Sequence, residues 1–124
     1  MYRLFLRPLA ALAALGWAVL AAEPAVAHAV IVEATPAVNA VVRGDRLAVT
    51  LRFNSRIDHG RSRLALIDAA GKERTVPLDK ASPRDVLAAA VERLTPGSYR
   101  LRWQVLALDG HITRGDIPFT VVAP

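Results

Sequence analysis

Strict alternation in two stretches commits much of this chain to β-sheet. Leu47, Val49, Leu51 and Phe53 alternate with Ala48, Thr50 and Arg52, and Tyr99, Leu101, Trp103 and Val105 alternate with Arg100, Arg102 and Gln104. Successive side chains of an extended chain point to opposite faces, so each stretch has one buried and one wet face, a period that no helix reproduces. The other apolar segments are short and divided by turn residues. Residues 29–33 form a run ended by Thr35-Pro36, and residues 64–67 form another, closed by Asp68-Ala69-Ala70-Gly71-Lys72. Residues 75–78 contain Pro77, which lacks a ladder donor and so marks an edge strand. Residues 86–91 are open to two readings, since alanine content favours a helix while length and position favour a strand. Ile117, Phe119 and Val121 make the last alternating segment.

Between the ambiguous segment and the Trp103 strand lies Leu94-Thr95-Pro96-Gly97-Ser98-Tyr99. Pro-Gly turns the chain, and a tyrosine two residues later, opening a strand, matches the tyrosine corner of Greek-key sandwiches. Its hydroxyl is expected to bond backbone across the corner, which is a structural duty. About seven short strands around one core tryptophan predict an all-β Greek-key β-sandwich or barrel, immunoglobulin-like or cupredoxin-like. No internal repeat or low-complexity tract interrupts this pattern. Such a fold carries no function by itself.

Residues 1–27 stand apart from it. Arg3 and Arg7 precede an apolar run over residues 9–22, and Ala25-Val26-Ala27 supplies a small-x-small cleavage site, the pattern of a secretory signal peptide. The run is shorter than the roughly 20 residues a membrane span needs. Cleavage after Ala27 leaves residues 28–124 as one domain with no membrane span, expected in the periplasm as a monomer. Ala27-His28-Ala29 is a second small-x-small triplet, and cleavage there would start the chain at Val30. The net charge of +5 is spread mostly over arginines, of which Arg43, Arg46, Arg52, Arg56, Arg61 and Arg63 fall close together. No aromatic residues interleave with them as a nucleic-acid platform requires, so they read as a solvated strand face with no nucleic-acid partner.

The chain has no cysteine, and Met1 is its single methionine. Thiolate sites, iron–sulfur clusters and blue-copper chemistry are thereby excluded, and removal of the leader also removes the thioether that Cu(I) favours. Three histidines remain: His28, His59 and His111. As a first residue, His28 offers its α-amine and its imidazole Nδ1 to one ion. Freeing that amine of its proton costs only about 1 kcal/mol at neutral pH. Asp109-Gly110-His111 supplies a carboxylate and an imidazole two residues apart, which extended chain projects to one face, with Gly110 permitting a tight bend. Three nitrogens and one oxygen suit tetragonal Cu(II) better than Zn(II) or Mg(II), and Cu(II) leads nickel in affinity. Taken singly, Asp-Gly is a common hairpin turn and His111 a surface histidine. Together, in a cysteine-free exported domain, they make His28, Asp109 and His111 the candidate ligands of one Cu(II) per chain. His59, in the polar turn Asp58-His59-Gly60, reads as exposed rather than ligating.

These residues sit in a recognisable frame. His28-Ala29-Val30-Ile31-Val32 with Thr35-Pro36-Ala37, then Val49-Thr50-Leu51-Arg52-Phe53-Asn54-Ser55, Leu94-Thr95-Pro96-Gly97-Ser98-Tyr99, Trp103, Asp109-Gly110-His111, Gly115 and Phe119-Thr120-Val121 together resemble the CopC family of periplasmic copper-binding proteins. The resemblance implies a Greek-key β-sandwich, Cu(II) on the terminal histidine, the aspartate and the second histidine, and a role in copper homeostasis or resistance. An inner-membrane copper transporter is the partner it implies. Two departures matter. Some relatives carry a methionine-rich Cu(I) site that this chain lacks, so it resembles a Cu(II)-only member. Many have Ser-Glu-Pro where Ser55-Arg56-Ile57 stands, so a carboxylate near the metal is not carried over.

Three function classes follow. A periplasmic Cu(II) carrier or buffer fits the chelating terminus and Asp-x-His. A terminal-histidine copper site is also similar to that of lytic polysaccharide mono-oxygenases, but these need an open oxygen position and exposed aromatics. Phe53, Tyr99, Trp103 and Phe119 all read as inward, and Asp109 would fill a position that oxygen needs. A metal-free interaction domain is the third class, because sandwiches present loops and edges to partners.

Overall fold

In the computed structural model, which describes residues 29–124, the first alternating stretch becomes a strand in which Leu47, Val49, Leu51 and Phe53 are buried and Ala48, Thr50 and Arg52 exposed. The leader read at residues 1–27 and the candidate ligand His28 lie outside the described residues. Among those described there are eight strands: β1 (Ile31–Thr35), β2 (Ala40–Arg43), β3 (Leu47–Phe53), β4 (Arg63–Ile67), β5 (Glu73–Thr75), β6 (Val86–Val91), β7 (Gly97–Leu106) and β8 (Ile112–Val122). One 3-10 turn, His59–Arg61, is the only helical element among the described residues. The all-β sandwich is as the alternation demands.

A three-stranded sheet ordered β1-β3-β6 faces a five-stranded sheet ordered β2-β8-β7-β4-β5. All pairings are antiparallel except β2 with β8. Consecutive strands β1 and β2 belong to opposite sheets, so the chain crosses between layers at Pro36, where the Asn39 amide donates to the Pro118 carbonyl at 2.7 Å. Phe53, Leu51 and Leu87 from the first sheet meet Leu64, Leu101, Val105 and Val121 from the second, all fully buried. Trp103 reaches across to Phe53, the rings edge to face with centroids 5.4 Å apart. Such pairs add to the burial of two large apolar side chains.

The tyrosine corner forms as expected. The Tyr99 hydroxyl donates to the Thr95 carbonyl at 2.9 Å and accepts from the Thr95 amide at 3.1 Å. One open reading is resolved, and two elements differ from the sequence reading. Residues 86–91 are a strand, paired residue by residue with β3 from Leu47↔Val91 to Arg52↔Val86; sheet partners outweigh the helix preference of its alanines. The edge strand β5 ends at Thr75, before Pro77, and pairs with β4 alone. Strand β2 offers only the three-residue apolar run Ala40-Val41-Val42, which the sequence reading left unassigned, and its backbone pairing with β8 brings the count to eight rather than seven. No helix among the described residues is long and apolar enough to cross a membrane.

Candidate metal centre

Strands β7 and β8 form a long hairpin whose last ladder pair is Leu106↔Ile112, leaving residues 107–111 as its tip. The Ala107 amide donates to the His111 carbonyl at 2.9 Å, and the Gly110 amide to the Ala107 carbonyl at 3.0 Å. Gly110 has φ +89°, a left-handed conformation that a side chain resists, which is why a glycine separates the two candidate ligands. The turn brings Asp109 and His111 together. Asp109 Oδ1 accepts from the His111 amide at 3.1 Å, and its Oδ2 lies 3.1 Å from His111 Nδ1. Their side chains are 34% and 51% exposed, so an ion can approach them from solvent.

This pairing decides what the two groups can do. A carboxylate only accepts, so the 3.1 Å contact puts a proton on Nδ1 and leaves the lone pair of Nε2 to an ion. A cation that takes Nδ1 instead displaces that proton and meets the carboxylate directly. Only the second arrangement puts the carboxylate oxygen and an imidazole nitrogen on the same ion; in the first, Asp109 orients the ring from the side away from the ion.

The start of β1 lies at the same end of the sandwich. Val30 is clamped by Asn54, whose Oδ1 accepts from the Val30 amide at 2.8 Å and whose backbone N–H donates to the Val30 carbonyl at 2.9 Å. From Asn54 the chain runs straight to the hairpin. Ile57 bridges Ala107, and the Asp58 amide donates to the Leu106 carbonyl at 2.8 Å. Ala29, the first described residue, is fully buried. Thus four residues of β3–β4 connection link the beginning of β1 to the base of the Asp109 turn. No local cue in the sequence assigned Asn54 this clamping role, since its partner is 24 residues away.

His59 differs from its expected role as an exposed turn residue. It opens the 3-10 turn capped by the Asp58 side chain, is half-buried, and donates from Nε2 to the Val86 carbonyl at 2.7 Å. The ring thereby ties this turn to the first residue of β6, a structural latch between the layers. Among the described residues no three histidine, aspartate or glutamate side chains gather around a point, and the His59 ring is engaged by the Val86 carbonyl. The six clustered arginines are all exposed, as read.

The CopC domain model matches residues 31–122. Protein YobA of Escherichia coli K12 is 30% identical over 98 residues, covering 77% of this chain and 79% of that protein. The copper transport protein CutJ of Bacillus subtilis is 26% identical over 110 residues, which are 77% of this chain and only 18% of CutJ. The crystal structure of CopC from Methylosinus trichosporium OB3b superposes with a TM-score of 0.69 at 30% identity, covering 77% of this chain and 95% of that one. With the fold, the hairpin and the matched span in agreement, the chain belongs to the CopC family.

Proposed function

We propose that this protein is exported to the periplasm, begins at His28 after loss of residues 1–27, and carries or buffers one Cu(II) ion. The observation that carries this reading is the Asp109–His111 pair, held at 3.1 Å on a hairpin tip beside the start of β1. His28, through α-amine and imidazole, then adds two nitrogens to one imidazole and one carboxylate, a donor set that suits tetragonal Cu(II). Copper is cargo here. Membership of the CopC family and the likeness to a copper transport protein agree with that role. A binding module is favoured over an oxidative enzyme because Phe53, Tyr99, Trp103 and Phe119, the aromatics of the described residues, are all buried and offer no platform to a polysaccharide. An inner-membrane copper transporter is the partner we assign to it.

The test uses exported protein whose intact mass establishes a His28 terminus. Cu(II) should produce a d–d band and a tetragonal EPR signal at one equivalent, and should quench Trp103. His111→Ala should weaken binding by at least tenfold, and one extra residue ahead of His28 should do more. Absence of the signals, or indifference to His111→Ala, would overturn the assignment.

A further inference from the structure

The outward face of the β7–β8 hairpin, opposite to the core, has its own pattern. Leu108, at the tip, is 67% exposed, and Ile112 is 54% exposed. Ile112 pairs with the half-buried Leu106, so the last outward row of the sheet is apolar. The next outward row is Arg63–Gln104–Arg114 across β4, β7 and β8, with both arginines exposed. Arg114 donates to Gln104 at 2.8 Å rather than to a carboxylate, so its charge is not neutralised by an acid in that row. Outward rows of a strand are about 7 Å apart. Arg56, Arg61 and Arg84 are exposed at this end as well.

Exposed apolar residues scattered singly need no explanation. Here, however, two flank Asp109 and His111 in sequence, on a projecting turn where polar residues are usual, with a cationic row directly behind them. We propose that this tip docks on an anionic lipid surface, Leu108 and Ile112 entering the interface and Arg63 and Arg114 meeting lipid phosphates. The spacing fits. An apolar edge that enters the boundary by about 5–10 Å places a row about 7 Å behind it at headgroup depth. A convex tip suits a deformable lipid interface better than the flat, complementary surface of a protein, and the net charge of +4 left once Arg3, Arg7 and Glu23 go with the leader favours an anionic leaflet. The chain lies on such a surface without spanning it. Docking there would put Asp109 and His111 at the membrane, where a transporter takes up its ion, but the proposal does not require copper.

The test is co-sedimentation of the exported, processed protein with vesicles of phosphatidylcholine alone or with phosphatidylglycerol at about one lipid in three, with and without Cu(II). Binding should appear only with the anionic lipid and fade at high salt. Leu108→Asn/Ile112→Thr should reduce the bound fraction at least tenfold, and Arg63→Gln and Arg114→Gln by roughly fivefold each. Val41→Asn, which alters an exposed apolar residue elsewhere on the surface, should change nothing. No binding to anionic vesicles would overturn the proposal, as would binding that survives Leu108→Asn/Ile112→Thr or falls equally with Val41→Asn. Because the metal-free protein is included, failure here leaves the copper assignment untouched, and failure of copper binding leaves this result readable.

Discussion

Asn54 and Tyr99 each hold a backbone bend with one side chain, yet only one of them could be read from the sequence. Tyr99 announces itself because its partner, Thr95, lies four residues away and the Pro96-Gly97 turn dictates their approach. Asn54 follows a strand like many asparagines, and its partner Val30 is distant in sequence. The same holds for His59, whose ring finds the Val86 carbonyl 27 residues on. Asp109 and His111 were legible because their contact is local, i to i+2. Tyr99→Phe removes a group that both donates and accepts at Thr95 and leaves a half-buried amide short of a partner. A loss of about 1–3 kcal/mol is expected in urea unfolding. Asn54→Ala loosens the segment two residues from His28. Cu(II) affinity should fall roughly tenfold by titration, as for other groups that orient a ligand, and Asn54→Asp, which keeps the accepting oxygen, should restore most of it.

At the scale of elements, the alternating strands and the short apolar runs of β1 and β4 were visible, while β2 and the type of β6 were not, for a physical reason. Strands β3 and β7 bury a full face against the core, so selection for burial writes itself into every second residue. Strand β2 exists through backbone bonds to β8, with exposed Val41 and Arg43, and β6 through its register with β3, so neither needs a pattern of its own. Strand β8 shows the reverse, a residue fixed by its neighbour across the ladder. Gly115 is opposite Trp103, and a Cβ there would lie 2.6 Å from the indole ring. Gly115→Ala should therefore displace Trp103 from Phe53, cost about 1–3 kcal/mol and alter the near-ultraviolet circular dichroism. On the other face of the same strand, Asp116 takes two bonds from Arg102, at 3.0 and 3.2 Å. These bonds, and then the nearby charges of Arg102 and Arg100, hold its carboxyl below the usual carboxylate range. A depressed acid contributes stability that is complete above its unfolded pKa and lost as pH falls through the folded value. Asp116→Asn should accordingly flatten the acid limb of stability against pH, by less than about 1 kcal/mol for so exposed a pair, and less at high salt.

The whole molecule raises a question that no segment answers, namely how two sheets without a disulfide are kept in register at the end where the chain begins. The sequence could require the start of β1 and the Asp109 turn to converge, but it could not place them, because the crossing at Pro36 and the run from Asn54 to Ile57 are long-range arrangements. In the folded chain β1, the first described strand, belongs to one sheet and the hairpin bearing the Asp109–His111 turn to the other. An ion held by His28, Asp109 and His111 would then be a cross-link between layers, present only in the native state. Binding of that kind stabilises by about 2.7 kcal/mol at free copper one hundred times Kd. For a domain of this size that is a rise in Tm of roughly 10–20 °C. Scanning calorimetry of the exported protein, with Cu(II) at that excess and again after a chelator, should show the rise and its reversal. Protein beginning at Val30, the product of the alternative cleavage, lacks the terminal chelate while keeping both sheets. Its Tm without metal should match that of the longer form to within a few degrees, and copper should move it little. Equal copper shifts in the two forms would mean that the ion sits elsewhere than across the layers.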